Sequence, residues 1–347
     1  MYEINILVCG VKTPYIYGGA DQQVNSLASE LKRRSYRTDI LTIPTGYLSL
    51  SEIIKSALMW RMIDFSSFEG INVDLLVTTK FPSYYARHEN KVVWLTHQLR
   101  QIYDLEDSDL GIKGGEEIER NKQTIRRLDT RFLMECKRIF TISKNVSCRL
   151  KKYNDIDSEP LYPPPKFSGQ ESDVSYGDFI LSVGRLDPLK RNNILINAVK
   201  HLKPGIKCIF AGTGFQEEEL KERAAGLGIS DRVQFLGFVS DEELRELYRR
   251  CLAVYFAPLD EDYGYITVEA MNFRKPVLTL SDSGGVMEFV LDDDTGIVSS
   301  SDPQDIAAHI DILYKDRDYA ARLGTKAQES VSYINWDYVI DKLLGVG

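Results

Sequence analysis

Two kinds of hydrophobic pattern alternate along this chain. One is a short run of consecutive apolar residues, as in INILVCG (4–10), VDLLVTT (73–79) and KVVWLTH (91–97). The other spaces apolar residues by three and four positions, as in Val24, Leu27 and Leu31. Continuous runs are typical of strands buried on both faces, and the spaced pattern is typical of helices. The alternation therefore predicts a parallel sheet covered by helices.

The same alternation starts again after a segment that breaks it. Residues 162–178 (YPPPKFSGQESDVSYGD) combine three prolines with glycine, serine and aspartate and carry no apolar period, which is typical of a linker. We therefore predict two Rossmann-like α/β domains, residues 1–168 and 176–330. A last amphipathic segment, 335–347, predicts a helix with Trp336, Val339 and Leu343 on one side.

Composition narrows the function classes. A net charge of −8 argues against a general attraction to nucleic acid and weakens the case for strong binding to an anionic membrane. Five cysteines stand singly, which is typical of reduced thiols. No apolar run approaches ~18 residues and the first ten residues lack a basic leader, so we expect a cytoplasmic protein.

Ligands of open parallel sheets bind at the carboxyl ends of the strands, so we looked for chemistry there. Gly18 and Gly19 follow the first run and precede a helix, where backbone N–H groups can approach an anion. Gly212 and Gly214 hold the corresponding position in FAGTG. A plain tight turn is the alternative explanation for both pairs.

Three cations gather in SVGRLDPLKRNN, namely Arg185, Lys190 and Arg191. Cations at a helix N-terminus oppose the helix dipole, which makes poor structural sense unless an anion completes the site. An arginine fork together with a flexible lysine suits a diphosphate. Compensation by Asp187 on a solvated face is the alternative.

Two glutamates occupy a strand–loop–helix segment, LAVYFAPLDEDYGYITVEAMNF. Glu261 lies in the loop, and Glu269 lies about one turn into the helix, inside an apolar run. Paired carboxylates can accept hydrogen bonds from the vicinal hydroxyls of a sugar or ribose. Gly264 lets a backbone approach a ligand closely. A glutamate that merely favours the helix N-terminus is the alternative.

Two further features are less specific. His97 ends the run KVVWLTH and is therefore expected at the ligand edge of the first domain, although an isolated histidine is often structural. The acidic triplets DED, DSD, DID and DDD lie in charge-rich turns, and we predict no metal site from them.

Taken together, these motifs resemble the retaining glycosyltransferases of family 4, which have the GT-B fold, two Rossmann-like domains facing across a cleft. The matching features occur in family order over nearly the whole chain: GG in the first β–α loop, VGRLDPLK, FAGTG, VQFLGFVSDEEL, EDYGYITVEAM and DSGGVMEFV. The ending NWDYVIDKLL resembles the terminal helix that, in this fold, crosses back to the N-terminal domain.

The resemblance implies a nucleotide diphosphate sugar, UDP- or GDP-linked, as donor and no cofactor or essential metal. It implies acceptor binding by the first domain and donor binding by the second. Catalytic roles would fall to His97, Arg185, Lys190 and Glu261. Glu269 would hold the ribose, with the nucleotide satisfying its buried carboxylate. Further substrate contacts would come from Gly18, Gly19, Gly212, Gly214, Val239, Asp262, Tyr263, Gly264 and Tyr265.

The acceptor implied is a saccharide or lipid-linked saccharide in cell-surface polysaccharide synthesis, with at most a weak peripheral contact at the inner face of the membrane. Two departures from the family pattern stand out. Arg191 replaces a common glycine, and EDYG replaces the commoner EGFG, which adds Asp262. The polar segment 103–122 is expected to be a mobile loop.

Rival functions remain open at this point. A nucleotide-sugar epimerase shares the fold, whereas a phosphorylase would need a pyridoxal-type lysine site and a longer chain. An NAD-dependent oxidoreductase is disfavoured because GxGxxG is missing. A nucleotide-sugar sensor without activity is disfavoured by the complete set of candidate residues.

Overall fold

The computed structural model describes residues 4–15, 18–45, 49–167 and 173–345. The chain forms two compact units: unit 1 comprises Met1–Pro163 and Asn335–Gly347, and unit 2 comprises Pro164–Ile334. Each unit is a parallel sheet with helices around it, which confirms the predicted α/β class with two Rossmann-like domains. Residues 168–172 of the predicted linker, including the predicted domain end at 168, lie outside the described residues.

Unit 1 is built on six parallel strands in the order β2-β1-β5-β6-β7-β8. Its elements in chain order are β1 (Asn5–Lys12), α1 (Gly19–Arg33), β2 (Arg37–Pro44), α2 (Leu50–Met62), β3 (Ser67–Phe68), β4 (Ile71–Asn72), β5 (Leu75–Thr78), β6 (Lys91–Leu95), α3 (Glu116–Leu133), β7 (Arg138–Thr141), α4 (Lys144–Asn154) and β8 (Glu159–Pro160). Strands β3 and β4 form a separate two-stranded hairpin.

The apolar runs become the buried strands because both of their faces are covered. Every residue of β5 and β6 is buried. On α1, the spaced residues Val24, Leu27 and Leu31 are buried as the helical period predicts. The continuous pattern therefore identified the centre of this sheet correctly.

The last helix, α11 (Trp336–Leu344), belongs to unit 1 although the rest of that unit ends at Pro163. Its Val339 and Leu343 are buried, and Trp336 packs edge-on against Trp94 with ring centroids 6.2 Å apart. Arg138 donates to the carbonyl oxygens of the last turn, at 3.0 Å from Lys342 and 2.9 Å from Leu343. These bonds satisfy carbonyls that lack a helical partner.

The predicted mobile loop 103–122 is wrong in its last third. Helix α3 already begins at Glu116, after Gly115 as its N-cap. Three glutamates in the first turn favour a helix start because they complement the positive end of the helix dipole. The polarity that suggested a loop is thus a helix-start signal here.

Unit 2 also has six parallel strands, in the order β11-β10-β9-β12-β13-β14. Its elements are β9 (Phe179–Val183), α5 (Asn192–Val199), β10 (Lys207–Ala211), α6 (Glu217–Gly226), β11 (Val233–Gly237), α7 (Asp241–Arg250), β12 (Ala253–Tyr255), α8 (Tyr265–Asn272), β13 (Val277–Leu280), β14 (Gly296–Ser299), α9 (Pro303–Lys315) and α10 (Arg317–Val331). The strand order reverses between β9 and β12, and ligands of such sheets bind at this switch point.

Candidate active site

Three loops meet at the carboxyl ends of β9, β12 and β13 in unit 2, where the strand order reverses. Backbone hydrogen bonds tie them together: Leu259 N donates to Leu189 O at 2.8 Å, and Asp260 N donates to Asp282 O at 2.9 Å. Gly285 N donates to Glu261 O at 2.7 Å. The loop with the predicted cations and the loop with Glu261 are therefore hydrogen-bonded to each other.

Lys190 and Glu261 form an ion pair at the centre of these loops. The ammonium Nζ lies 2.5 Å from the carboxylate Oε2, and the two side chains are only 16% and 23% exposed. The same ammonium lies over the ring of Phe256, 5.2 Å from its centroid. A half-buried pair interacts more strongly than a surface pair because solvent screens it less. A lysine and a glutamate from segments 71 residues apart thus share one site.

Each of the three cations has a carboxylate partner, and for Arg185 it is Asp187, the residue that the alternative explanation named. Arg185 lies 3.4 Å from the carboxylate of Asp187, and Arg191 makes a two-bond pair with Asp282. The Arg185 side chain is 59% exposed, so it is the most accessible of the three cations. To bind an anion, Arg185 and Lys190 would have to leave their present carboxylate partners, Asp187 and Glu261.

Arg191, the third of these cations, is held by protein groups. Its guanidinium points to the carbonyl oxygens of Ala257 and Pro258 and to Asp282. Its backbone has φ 52° and ψ 37°, a left-handed conformation that glycine adopts without strain. The glycine common in the resembling family therefore has a conformational reason.

Glu269 is buried, with 5% of its surface exposed, in the second turn of α8. The hydroxyl of Tyr248 on α7 donates to its Oε2 at 3.2 Å. Burial of Tyr248 and the nearby carboxylate hold the pKa of that phenol well above its usual range, so the hydroxyl stays a donor. The buried Glu269 carboxylate therefore has a protein hydrogen-bond partner besides any nucleotide, and its contact with ribose stays a prediction.

The loop 262–265, which leads into α8, has no side chain at Gly264 and a buried one at Tyr263. Gly264 is the N-cap of α8 with φ 82°, and a Cβ there would come within 3.0 Å of Phe256 and Val286. Tyr263 is 1% exposed and packs edge-on against Phe289. Asp262 and Tyr265 are partly exposed. The predicted substrate contacts of this loop can thus come from its N–H groups.

Gly212 and Gly214 have a packing role that does not need a ligand. A Cβ on Gly212 would lie 2.0 Å from the carbonyl oxygen of Gly184, and one on Gly214 would lie 2.2 Å from that of Leu186. Only glycine permits this approach between the loops after β9 and β10. Val239 is half-buried between β11 and α7. Substrate contacts at these positions stay predictions.

In unit 1, the two predicted segments lie at the carboxyl ends of β1 and β6. Gly18 is the N-cap of α1, and its N–H donates to the Asp21 carboxylate at 3.0 Å, a bond that competes with the predicted phosphate contact. Gly19 begins the helix. Lys12 lies 3.8 Å from Asp21.

His97 has one tautomer in its neutral form. Its Nδ1 lies 2.6 Å from the carbonyl oxygen of Gln98, so Nδ1 carries the proton and Nε2 is the acceptor. Gln23 of α1 links this segment to the glycine loop, because it donates to Trp94 O at 3.0 Å and accepts from the Thr96 hydroxyl at 2.5 Å. Gly18, Gly19 and His97 therefore lie at the carboxyl ends of strands in the unit 1 sheet, and helix α1 is bonded through Gln23 to the segment that precedes His97.

Sequence reasoning missed Tyr248, Phe256 and Gln23, and it did not find the partner of Asp282. A tyrosine inside the amphipathic pattern of α7 and a phenylalanine at the end of a strand both read as core residues, and nothing local marks their polar or cationic neighbour. The motif DSGG did signal Asp282, but its partner Arg191 is 91 residues away. The second glutamine of GGADQQ carried no signal beyond its place near the glycines.

The described residues hold no group of three or more His, Cys, Asp or Glu side chains arranged to ligate a metal. Across the same ranges, we find no helix with the length and apolarity needed to cross a membrane.

Comparison with known proteins now gives this arrangement a family context. Residues 169–330 match the family model of glycosyl transferases group 1. An uncharacterized glycosyltransferase of Methanocaldococcus jannaschii is 24% identical, with 96% of this chain and 95% of that protein aligned. The D-inositol 3-phosphate glycosyltransferase of Nocardia farcinica is 34% identical over 47% of this chain, and the aligned part spans only 38% of that relative.

Solved structures agree on the fold. HepE of Anabaena, crystallised with UDP and glucose, superposes with a TM-score of 0.72 at 19% identity, covering 99% of both chains. Sucrose-phosphate synthase of Thermosynechococcus elongatus gives a TM-score of 0.77 at 18% identity, covering 99% of this chain and 98% of that one. The chain has the GT-B fold. The family match over residues 169–330 and the glycosyltransferase relatives indicate that the protein is a glycosyltransferase.

Proposed function

We propose that this protein is a retaining hexosyltransferase of family 4 that uses a UDP- or GDP-linked sugar. The observation that carries the proposal is the Lys190–Glu261 pair at the switch point of unit 2, with Arg185 in the same loop as Lys190 and Glu269 on the helix that follows Glu261. The complexes of HepE with UDP and with UDP-glucose support a nucleotide-sugar donor for this fold.

In this proposal the cations serve the diphosphate. Lys190 would leave Glu261 for the phosphate oxygens, and Arg185 would exchange Asp187 for the same ligand. Negative charge grows on the diphosphate as the glycosidic bond breaks, so cations placed there stabilise the transition state more than the ground state. Glu261, relieved of the ammonium, would accept hydrogen bonds from the sugar hydroxyls.

Glu269 would hold the ribose hydroxyls, with Tyr248 fixing the carboxylate. N–H groups of the loop 262–265 would contact the sugar or the phosphate, and the backbone near Val239 would contact the base. We assign no side chain as nucleophile. A front-face transfer, in which a phosphate oxygen takes the proton of the attacking hydroxyl, accounts for retention without a metal ion or cofactor.

For unit 1 we propose acceptor binding. His97, with Nε2 as acceptor, would receive a hydrogen bond from a sugar hydroxyl, and Gly18 and Gly19 would offer N–H groups to phosphate. A saccharide or lipid-linked saccharide acceptor in cell-surface polysaccharide synthesis fits a cytoplasmic enzyme with at most weak peripheral contact with the membrane.

Donor binding by Lys190→Ala tests the assignment. We expect a loss of ~1.5–3 kcal/mol, about 10- to 100-fold in affinity, because a charge-assisted bond to the diphosphate is removed. Calorimetric titration with UDP, GDP and their sugars measures it. Lys221→Ala is the matched control, since Lys221 pairs with Glu217 and Glu218 on exposed α6. Equal affinity of wild type and Lys190→Ala would contradict the role of Lys190.

Glu261→Gln separates the two halves of the pair. Nucleoside diphosphate should bind at least as tightly as to wild type, because the ammonium is no longer shared, whereas transfer of the sugar should fall. NMR of the released sugar then reports the anomer formed. Interconversion of sugar nucleotides without nucleotide release would instead indicate an epimerase.

A further inference from the structure

Arg191 occupies a backbone conformation that disfavours any side chain. It separates the 3-10 turn 188–190, which ends in Lys190, from helix α5. With φ at 52°, a glycine would fit there without the Cβ clash that other residues incur. The position nevertheless holds an arginine, so we expect its side chain to make stabilising contacts that glycine could not make.

The Arg191 side chain joins two further loops. Its Nε donates to Ala257 O at 2.7 Å, and its Nη2 donates to Pro258 O at 2.9 Å. Both Nη atoms donate to Asp282, at 2.7 and 2.6 Å. The side chain is only 15% exposed. Two part-buried carbonyl bonds and a forked bond to the exposed Asp282 carboxylate use the planar geometry of a guanidinium, which an ammonium cannot reproduce.

These three anchor points bracket the Lys190–Glu261 pair. Arg191 directly follows Lys190, and Pro258 lies three residues before Glu261. Ser283 directly follows Asp282, and its carbonyl oxygen accepts a hydrogen bond from Glu261 N at 3.3 Å. Both members of the pair are therefore attached to backbone that the guanidinium holds.

We propose that Arg191, clamped by Asp282, is a positioning residue that sets the separation of Lys190 and Glu261 for the donor. The proposal rests on the function proposed above and adds a residue that touches neither sugar nor phosphate. The Arg191 hydrogen bonds hold the pKa of Asp282 below its usual range, so the clamp stays charged at neutral pH.

The variants are Arg191→Lys, which keeps the charge and loses the fork, and Asp282→Asn, which keeps the shape and loses the charge. Arg232→Lys is the matched control. Arg232 is also a guanidinium that binds carbonyl oxygens of unit 2, those of Leu202, Lys203 and Ile206, but it contacts none of the three loops.

We expect kcat/KM for the sugar nucleotide to fall 10- to 100-fold in Arg191→Lys and Asp282→Asn. Arg232→Lys should lower thermal stability without changing kcat/KM. The decisive comparison is made in the Lys190→Ala background. If Arg191 acts by placing Lys190 against Glu261, adding Arg191→Lys there should cost less than threefold. A structural role would instead give the full loss again.

Hydrogen exchange of the backbone amides of residues 259–261 and 285 supplies a readout that needs no substrate. Exchange should rise in Arg191→Lys and stay unchanged in Arg232→Lys. Unchanged exchange, wild-type kinetics or an additive loss in the Lys190→Ala background would each overturn the clamp. If wild type binds no nucleotide but Arg191→Lys still loosens these amides, the proposed function fails while the clamp between the loops stands.

Discussion

Among the residues that the structure describes, each unit has one helix with a buried carboxylate that accepts from tyrosine. In unit 1, Asp129 of α3 is fully buried and accepts from Tyr85 at 2.8 Å and from Tyr103 at 2.7 Å. In unit 2, Glu269 of α8 is slightly exposed and accepts from Tyr248 at 3.2 Å.

The difference lies in what surrounds each carboxylate. Asp129 lies near the C-terminal end of an 18-residue helix, with a separate tyrosine hydroxyl on each of its oxygens. Glu269 lies five residues into its helix, behind the glycine N-cap, at the ligand edge of a parallel sheet. A buried acidic residue inside an apolar run therefore does not by itself indicate a ligand site. Its position relative to the carboxyl ends of the strands is the better indicator.

The largest expected effect is on the pH dependence of stability, and it belongs to Asp129. Burial raises its pKa to about 7, and the hydrogen bonds from Tyr103 and Tyr85 oppose part of that rise. Between the unfolded pKa of about 4 and this value the folded state holds an extra proton, so stability falls as pH rises and then levels off.

Asp129→Asn should remove this fall, which by linkage amounts to about 3 kcal/mol between pH 4 and 7. Urea unfolding followed by tryptophan fluorescence measures it, because Trp60, Trp94 and Trp336 all lie in unit 1. Parallel pH profiles of wild type and variant would show that Asp129 is ionised in the folded protein and contradict the prediction.

For nucleotide affinity we expect the reverse: the change at Glu269 should matter and the change at Asp129 should not. Glu269→Gln should weaken UDP or GDP binding by about 2 kcal/mol, since charge-assisted bonds to the ribose hydroxyls become neutral ones. Asp129→Asn should leave this affinity unchanged. Calorimetry on the two variants checks both, and equal losses in the two would remove the distinction.

The smallest effect concerns the tyrosines. Tyr248→Phe should reduce nucleotide affinity by about 1 kcal/mol, because Glu269 loses one orienting hydrogen bond while the packing of the ring against Phe273 is kept. Tyr85→Phe, the matched change beside Asp129, should leave it unaltered. A 2′,3′-dideoxy nucleotide should bind Tyr248→Phe and wild type equally, and a persisting difference would place Tyr248 elsewhere in the mechanism.

The fold could be predicted to the level of individual strands because a doubly covered strand imposes a local pattern. The runs at 73–79 and 91–97 became β5 and β6, shortened at their ends. Helix α2 and the hairpin β3–β4 were not predicted. The hairpin consists of exposed two-residue strands, which leave no apolar period to detect.

The positions of individual site residues could be predicted, but the contacts between them could not. Motif order placed Lys190 and Glu261 in loops after strands and Glu269 in the following helix, where the structure has them. It could not reveal that Lys190 faces Glu261 or that Tyr248 supports Glu269. Such pairs depend on the register of separate strands and helices, which no local pattern encodes.

The return of α11 to unit 1 affects how that unit could be isolated. A protein truncated at Pro163 would lose the helix whose Val339 and Leu343 fill part of the core, and Trp94 and Arg138 would lose their partners there. Residues 335–345 would have to be rejoined to Pro163 through a short artificial connection before unit 1 could be expected to fold by itself. Unit 2 is one continuous segment, 164–334, and could be expressed without such a connection.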